Sequence, residues 1–359
     1  MANSSETSTK KLDLQKIQNL QGRVVTDLAA TAGVACAYIG DRLGLYKAMS
    51  GAGPLTSVEL AQKTSTHERY VREWLVNQAA SGYIDYDPAT YKFNLTDEHA
   101  AVLAAEDGQF FAAGGFQTFV ALVNASARIT DCFRNGTGMS WGDHQHDLFE
   151  GTERFFRPSY VGQLVSQWIP SINGLKERLE KGAVVADVGC GHGATTFIMA
   201  EAFPNSRFYG FDNHGPSIER ASADAKAKGL AGRVSFEVSS ADAIPDQQFD
   251  LIAFFDCLHD MGDPIGACKR ARTILQAEGR VMIVEPMAGN HVEDNFNPIG
   301  RTFSGASVLC CTPNAIAGGG SALGTIATDA ALADVLHAGG FKNFRRATET
   351  PFNRVFEAS

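Results

Sequence analysis

The chain has 359 residues, enough for one large or two ordinary domains with a sizeable core. Its formal net charge of −9 argues against a general binder of nucleic acid or of an anionic membrane. Hydrophobic and charged fractions are those of an ordinary globular chain, and the seven scattered cysteines show no CxxC pair and no zinc spacing, which points to reduced thiols in a cytoplasm.

Residues 1–11, "MANSSETSTKK", read as a polar, disordered tail and not as a signal peptide. From residue 12 to about 50 the pattern is helical. Leu12, Ile17, Leu20, Val24, Val25 and Leu28 recur at helical spacing, and a second helix is expected through "AYIGDRLGLYKAMS". The apolar run "LAATAGVACAYIG" is too short and too rich in small residues to span a bilayer, and reads as tight helix packing. "TSVELAQKTS" predicts a short helix capped by Thr56 or Ser57, and "THERYVREWLVNQAASG" a second one stopped by Gly82. "YIDYDPATYKFNLT" alternates around Asp87-Pro88 and predicts a β-hairpin. Helix, turn, helix, hairpin is the winged-helix order, and residues 12–105 are assigned to such a domain.

Residues 106–180 read as a mostly helical connector that covers an active site, with an irregular stretch at "RNGTGMSWGDHQHD". From Val184 the rhythm changes to short buried strands: "VVADVG", "RFYGFD", "VSFEV", "DLIAFFD", "RVMIVEP", "NFRRAT" and "NRVFEA". Helices are expected between the first five, so the sheet is parallel with helices on both faces. The last two strands are joined only by "ETPF" and form an antiparallel hairpin. The predicted fold of residues 181–359 is therefore α/β, with a seven-stranded Rossmann-like sheet. Residues 287–330 are Gly- and Ala-rich with little periodicity, and read as a lid-like insertion.

"VVADVGCGHGATT" raises the question of what the glycines hold. Gly189-x-Gly191-x-x-Ala194, with Asp212 downstream, also fits a dinucleotide fingerprint. Three features move the reading: an acid, Asp187, on the strand before the loop; about 170 residues after the motif, which suits one sheet and no separate substrate domain; and the terminal hairpin. Together these resemble a class I S-adenosylmethionine-dependent methyltransferase, in which the loop cradles the methionine part of the cofactor. The resemblance implies cofactor roles for Asp187, Gly189, Gly191 and Gly193, for Asp212 on the ribose hydroxyls with neighbouring Asn213, for Asp242 and Ala243 at the adenine edge, and for Asp256 after the fourth strand.

"LHDMGDP" places His259 just past the carboxyl end of that strand. With "ILQAEGRVMIVEP" and the winged helix it resembles the "LHDW-D" segment of winged-helix O-methyltransferases, where the histidine is the general base. This chain has Met261 in place of the tryptophan. A free imidazole pKa of about 6.5 suits such a role. "GTERFFRPSY", "FFDCLHDMGDP", "VEPMA" and "NPIGR" further resemble a bacterial winged-helix methyltransferase subgroup, one branch of which S-methylates 4-methylthio-2-hydroxybutyrate. That reaction would need no base. Trp141, Phe155, Phe156 and Tyr160 would then supply a cation-tolerant wall, and Arg154, Arg157 and Arg301 would meet a carboxylate. His144 joins the substrate-binding set. His144 and His146 in "WGDHQHD" have no third strong ligand in view, and no metal is assigned.

A rival class is a winged-helix transcription regulator with a methyltransferase-like body. Residues 51–100 carry four Lys/Arg and seven Asp/Glu, a net of −3, which is wrong for a phosphate reader. The resemblance implies a homodimerisation module instead, with no nucleic-acid or membrane partner. RNA-base methylation would want an Asn/Asp-Pro-Pro-aromatic motif after the fourth strand, where this chain has Asp-Cys-Leu-His. The expected activity is methyl transfer to oxygen or sulfur of a small molecule.

Overall fold

A computed structural model describes residues 12–359; the tail expected over 1–11 lies outside the described residues. Contacts divide the chain into two compact units, with the boundary after Ala100. Segment 106–180 thus belongs to the same unit as the sheet.

In the first unit one helix, Leu14–Arg42, replaces the two expected over this stretch. Asp13 caps it by accepting from the amides of Gln15 and Lys16. The break comes only at Gly44, whose φ of 69° ends the run before a short helix, Leu45–Met49. Of its 29 residues only Gly33, Ala37 and Gly40 are buried. A Cβ at Gly40 would lie 2.3 Å from the Trp74 ring. The Trp74 indole N–H also donates to the Cys36 carbonyl at 2.8 Å. The small residues therefore do serve close packing, against the helix Glu68–Ala80. The apolar positions Leu20, Val25 and Leu28 stay more than half exposed. At 29 residues the helix is long and apolar enough to cross a bilayer by length and composition, which the shorter run quoted from the sequence did not suggest.

The remaining elements of this unit form as their sequence predicts. Thr56 and Glu59 make a reciprocal capping box at the start of Ser57–Thr64. Strands β1 (Asp85–Asp87) and β2 (Lys92–Asn94) pair antiparallel, Tyr86 opposite Phe93.

The second unit holds all seven expected strands: β3 (Val184–Val188), β4 (Arg207–Asp212), β5 (Val234–Val238), β6 (Phe249–Phe255), β7 (Leu275–Pro286), β8 (Phe344–Glu349) and β9 (Asn353–Ala358). Their order across the sheet is β5-β4-β3-β6-β7-β9-β8. The first five run parallel, and β9 is antiparallel to both β7 and β8. Alternate residues of the central strands face opposite layers. Val185, Leu251 and Met282 pack in one apolar core, and Ala186, Ile252 and Ile283 in the other. Strand order reverses beside β3, and the crevice at the carboxyl ends of β3 and β6 is where open α/β sheets take ligands.

Two expectations over this unit need correction. A helix was expected in each connection of the parallel strands, but only a loop joins β5 to β6. And 287–330 is not irregular throughout: Pro298–Ala306, a π-helical turn Ser307–Cys311 and Thr312–Ala317 follow one another in a near-continuous helical run. Its small residues carry no apolar period because they are used for close approach. A Cβ on Gly138 would sit 2.2 Å from the Ala317 amide nitrogen, and one on Gly262 would sit 2.4 Å from the Gly318 carbonyl.

Candidate active site

A cavity of about 550 Å³ opens at the carboxyl ends of β3, β4 and β6, within the roughly 300–1,000 Å³ range of small-molecule sites. The glycine loop forms one wall. Gly189, Gly191 and Gly193 all have φ between 53° and 84°, in the left-handed region. Side chains at the outer two would strike Cys257 and Phe236, whereas a Cβ on Gly191 would meet nothing within 4 Å. A side chain at Gly191, which lines the cavity, would thus project into open space.

Asp187 is buried beneath this loop and does not itself line the cavity. Its Oδ2 accepts from the hydroxyls of Thr195 and Thr196, each at 2.6 Å, which ties the helix Ala194–Ala202 to β3. Its Oδ1 is buried with no partner. Burial pushes the carboxyl up to about 6, against the pull of the two hydroxyls. Asp212, at the end of β4, does line the cavity, and accepts from the amides of Gly191 (2.9 Å) and His214 (2.8 Å). Burial raises its pKa. Asn213 and Asp242 are exposed at the cavity rim, and Ala243 lies outside the lining.

Asp256 follows β6 with φ 51°, a conformation uncommon outside glycine. It lines the cavity, yet both its oxygens are held by the protein: Tyr160 Oη donates at 2.9 Å and Asn353 Nδ2 at 2.8 Å. Burial, then the nearby Glu285 charge, pushes its pKa up to about 7.

His259 sits on a single 3₁₀ turn, Leu258–Asp260, 3 % exposed and in the lining. Its Nδ1 is 2.5 Å from Oε2 of Glu285 on β7, a buried carboxylate whose Oε1 has no partner. Burial alone would lower the imidazole pKa. The Glu285 charge and the neighbouring Cys311 together outweigh it, and the net direction is well above the ordinary value. Nδ1 is thus committed to Glu285, and the ring also meets the Cys311 thiol beside it. Asp260 beside it also lines the cavity, and burial pushes its carboxyl up to about 7. His259, Asp260 and Cys311 each bring one ligand-type atom within 4.8 Å of the others, as do His146, Asp147 and Glu150 at a helix start.

Of the expected substrate set, Trp141, Phe156 and Tyr160 line the cavity; His144 and Arg301 do not. His144 is buried with both ring nitrogens lacking partners, and burial lowers its pKa. Arg154 is bound to Glu106 and Gln117, each at 2.7 Å, and Arg157 to Asp107 at 2.9 Å. Neither reaches the cavity. The sequence reading missed Glu285, Cys311, Asn353 and Asn314. Asn314 accepts from the Trp141 amide at 2.8 Å and donates to the Asp260 carbonyl at 3.0 Å, clasping the aromatic wall to the His259 turn. Only Glu285 had a visible signal: an acid in "VEP", at the carboxyl end of the strand beside β6.

Residues 179–330 match a family model described as a methyltransferase domain, and residues 30–105 match a Rv2258c-like winged HTH domain. The chain is 28 % identical to nocamycin O-methyltransferase of Saccharothrix syringae, over 47 % of this chain and 62 % of that protein. It is 27 % identical to a probable tocopherol O-methyltransferase of Oryza sativa, over 40 % and 41 %. These matches span less than two thirds of the relatives' lengths. Among solved structures, mitomycin 7-O-methyltransferase superposes with a TM-score of 0.70 at 17 % identity, covering 96 % of this chain and 99 % of that one. Human N-acetylserotonin methyltransferase, solved with S-adenosylmethionine, superposes at 0.67 and 15 %, covering 98 % of both chains. At such identities the likeness is one of fold, and it extends from the winged helix to the terminal hairpin. The chain thus joins a winged HTH domain over 30–105 to a methyltransferase domain over 179–330, in the fold that these methyltransferases share.

Proposed function

We propose that the enzyme methylates a hydroxyl oxygen of a small molecule, with His259 as the general base. The observation that carries this reading is the buried pair of His259 and Glu285 at the cavity floor. S-adenosylmethionine supplies, when bound, an electrophilic methyl group on a sulfonium, which departs as a neutral thioether. Gly191 leaves the space for it, Asp212 offers carboxylate oxygens at its ribose, and Asn213 and Asp242 stand at the rim. His259 Nε2 takes the proton of the acceptor hydroxyl as its oxygen forms the new bond to the methyl carbon. Glu285 holds the ring in the required orientation and stabilises the imidazolium that results. The cavity walls exclude water from the transfer.

The narrower thioether substrate, 4-methylthio-2-hydroxybutyrate, gains no support from the relatives, and a carboxylate-bearing thioether gives His259 and Glu285 nothing to do. The regulator reading also weakens. Arg69 and Arg72, the cations of the would-be recognition helix, pair with Glu73 and Glu68 on the same helix. We further propose a homodimer assembled through the exposed apolar face of Leu14–Arg42, and a cytoplasmic site of action, in keeping with seven free thiols. Sedimentation at micromolar concentration tests the first, and a monomer there would defeat it. The test of the chemistry is turnover with methyl-labelled cofactor against hydroxyaryl, amine and thioether acceptors, with products read by mass spectrometry. An ether product supports the proposal; a sulfonium or N-methyl product overturns it.

A further inference from the structure

The charge pattern of the cavity restricts the acceptor, given the O-methyl reading above. Among the described residues, its lining contains no lysine and no arginine, but six carboxylates: Glu153, Asp212, Asp242, Asp256, Asp260 and Asp263. The arginines nearest in sequence to the aromatic wall are tied to Glu106 and Asp107 outside the lining. Near His259 the wall is apolar. Leu122, Leu148 and Cys310 come from three different helical segments and form one buried cluster, with Trp141, Phe149 and Cys311 packed against it. Cys311 lies within 4.8 Å of His259 and Asp260, so this wall and the base share one end of the cavity.

We infer that the methyl acceptor carries no anionic group: it is an apolar hydroxy compound, neutral or amine-bearing. A carboxylate entering this space would lose its water, meet aromatic and aliphatic carbon, and find no cation to pair with. Asp260 and Asp256, whose carboxyls burial pushes up to about 7, would add like-charge repulsion to the extent that they ionise. Two lining groups can become cationic, and each already faces an acid: His259 on Glu285, where it is needed for the hydroxyl proton, and His192 on Glu153 at 2.8 Å. A neutral body incurs none of these costs, and an ammonium finds acids and aromatic faces.

Three probes of one skeleton test this with the full chain: 4-hydroxyphenylacetate, its methyl ester, and 4-hydroxyphenethylamine. Their binding to the protein saturated with S-adenosylhomocysteine is measured by calorimetry, and their turnover with labelled cofactor. The ester and the amine should exceed the acid by about 100-fold or more in affinity and in kcat/KM. Thr302→Arg, which adds a cation at a half-buried lining position, should narrow that gap at least tenfold. An acid within about tenfold of the ester, a gap untouched by the arginine, or failure of all three probes to bind would overturn the inference. The predicted binding order without any ether product would leave the inference standing and overturn only the O-methyl reading.

Discussion

On the side of β3 and β4 the cavity is bounded by backbone: three glycines in the left-handed region, with an amide of one held by Asp212. On the side of β6 and β7 it is bounded by side chains, His259 on Glu285 and Asp256 between Tyr160 and Asn353. The first side is local, built within a few residues of one loop. The second is assembled from afar, with Asp256 and Asn353 separated by 97 positions. A backbone cradle tolerates no added atoms but needs no proton inventory. A floor of buried titratable groups tolerates isosteric change but depends on which of them are charged. The two sides should therefore fail in different ways.

The largest effect expected is at Gly191. Gly191→Val fills the open space with a β-branched side chain at φ 53°, and should remove measurable S-adenosylmethionine binding in a calorimetric titration. Retained affinity would mean that the loop is not the cradle. On the other side, His259→Ala should lower kcat about 10²–10⁴-fold and leave cofactor affinity unchanged. Because Glu285 raises the His259 pKa, the base form is populated only above it, and the wild-type rate should climb with pH along a limb above that of free imidazole. Glu285→Gln should move that limb downward, since burial then loses its main opponent. A single-turnover rate that ignores pH in both proteins would rule out the base. Returning to the cradle side, Asp212→Ala should weaken cofactor binding by about 1.5–3 kcal/mol, the range for hydrogen bonds to a charged group, without shifting the pH limb.

The smallest effect sharpens the contrast through stability. Asp256 titrates near 7 in the folded protein, above its unfolded value of about 3.9. The folded state therefore binds this proton more tightly than the unfolded one. The resulting stability is fully present below pH 3.9 and is lost as pH rises through about 7. Asn cannot ionise, suits a positive φ, and could be met by the buried Asn353 Oδ1, which lacks a partner. Asp256→Asn should thus melt above the wild type at pH 8 by an amount on the order of a few kcal/mol at most, and lose the advantage at pH 4. Thermal denaturation at the two pH values decides it; a variant less stable at pH 8 would refute this account.

The same division governs how much could be read from the sequence. The central strands were legible as buried apolar runs, β5 and β8 by their place between turns although they are largely unburied, and the glycine loop because its residues are contiguous. Asp187 was legible as an acid but not in its position, since its hydrogen bonds turn it away from the cavity, onto Thr195 and Thr196. Arg154 and Arg301 were plausible carboxylate partners only until Glu106 and the helix geometry were known. Cys311 and Asn353 were not legible as site residues, and Glu285 only as an acid at a strand end, because only the strand order and the helical run after Pro298 bring them to His259 and Asp256. That run was itself hidden, since small residues packed backbone to backbone leave no hydrophobic period.

The π-helical turn Ser307–Cys311 has a consequence for insertions and deletions. A π turn holds one residue more than an α turn, so everything after it is rotated relative to a regular helix. Removing one residue there would turn the Thr312–Ala317 segment by about 100°. Asn314 would then swing away from Trp141 and Asp260, and the hydrogen bonds joining the aromatic wall to the His259 turn would be lost. In this stretch the number of residues is constrained as firmly as their identity: point substitutions on its outer face should be accepted, while a single-codon deletion should not.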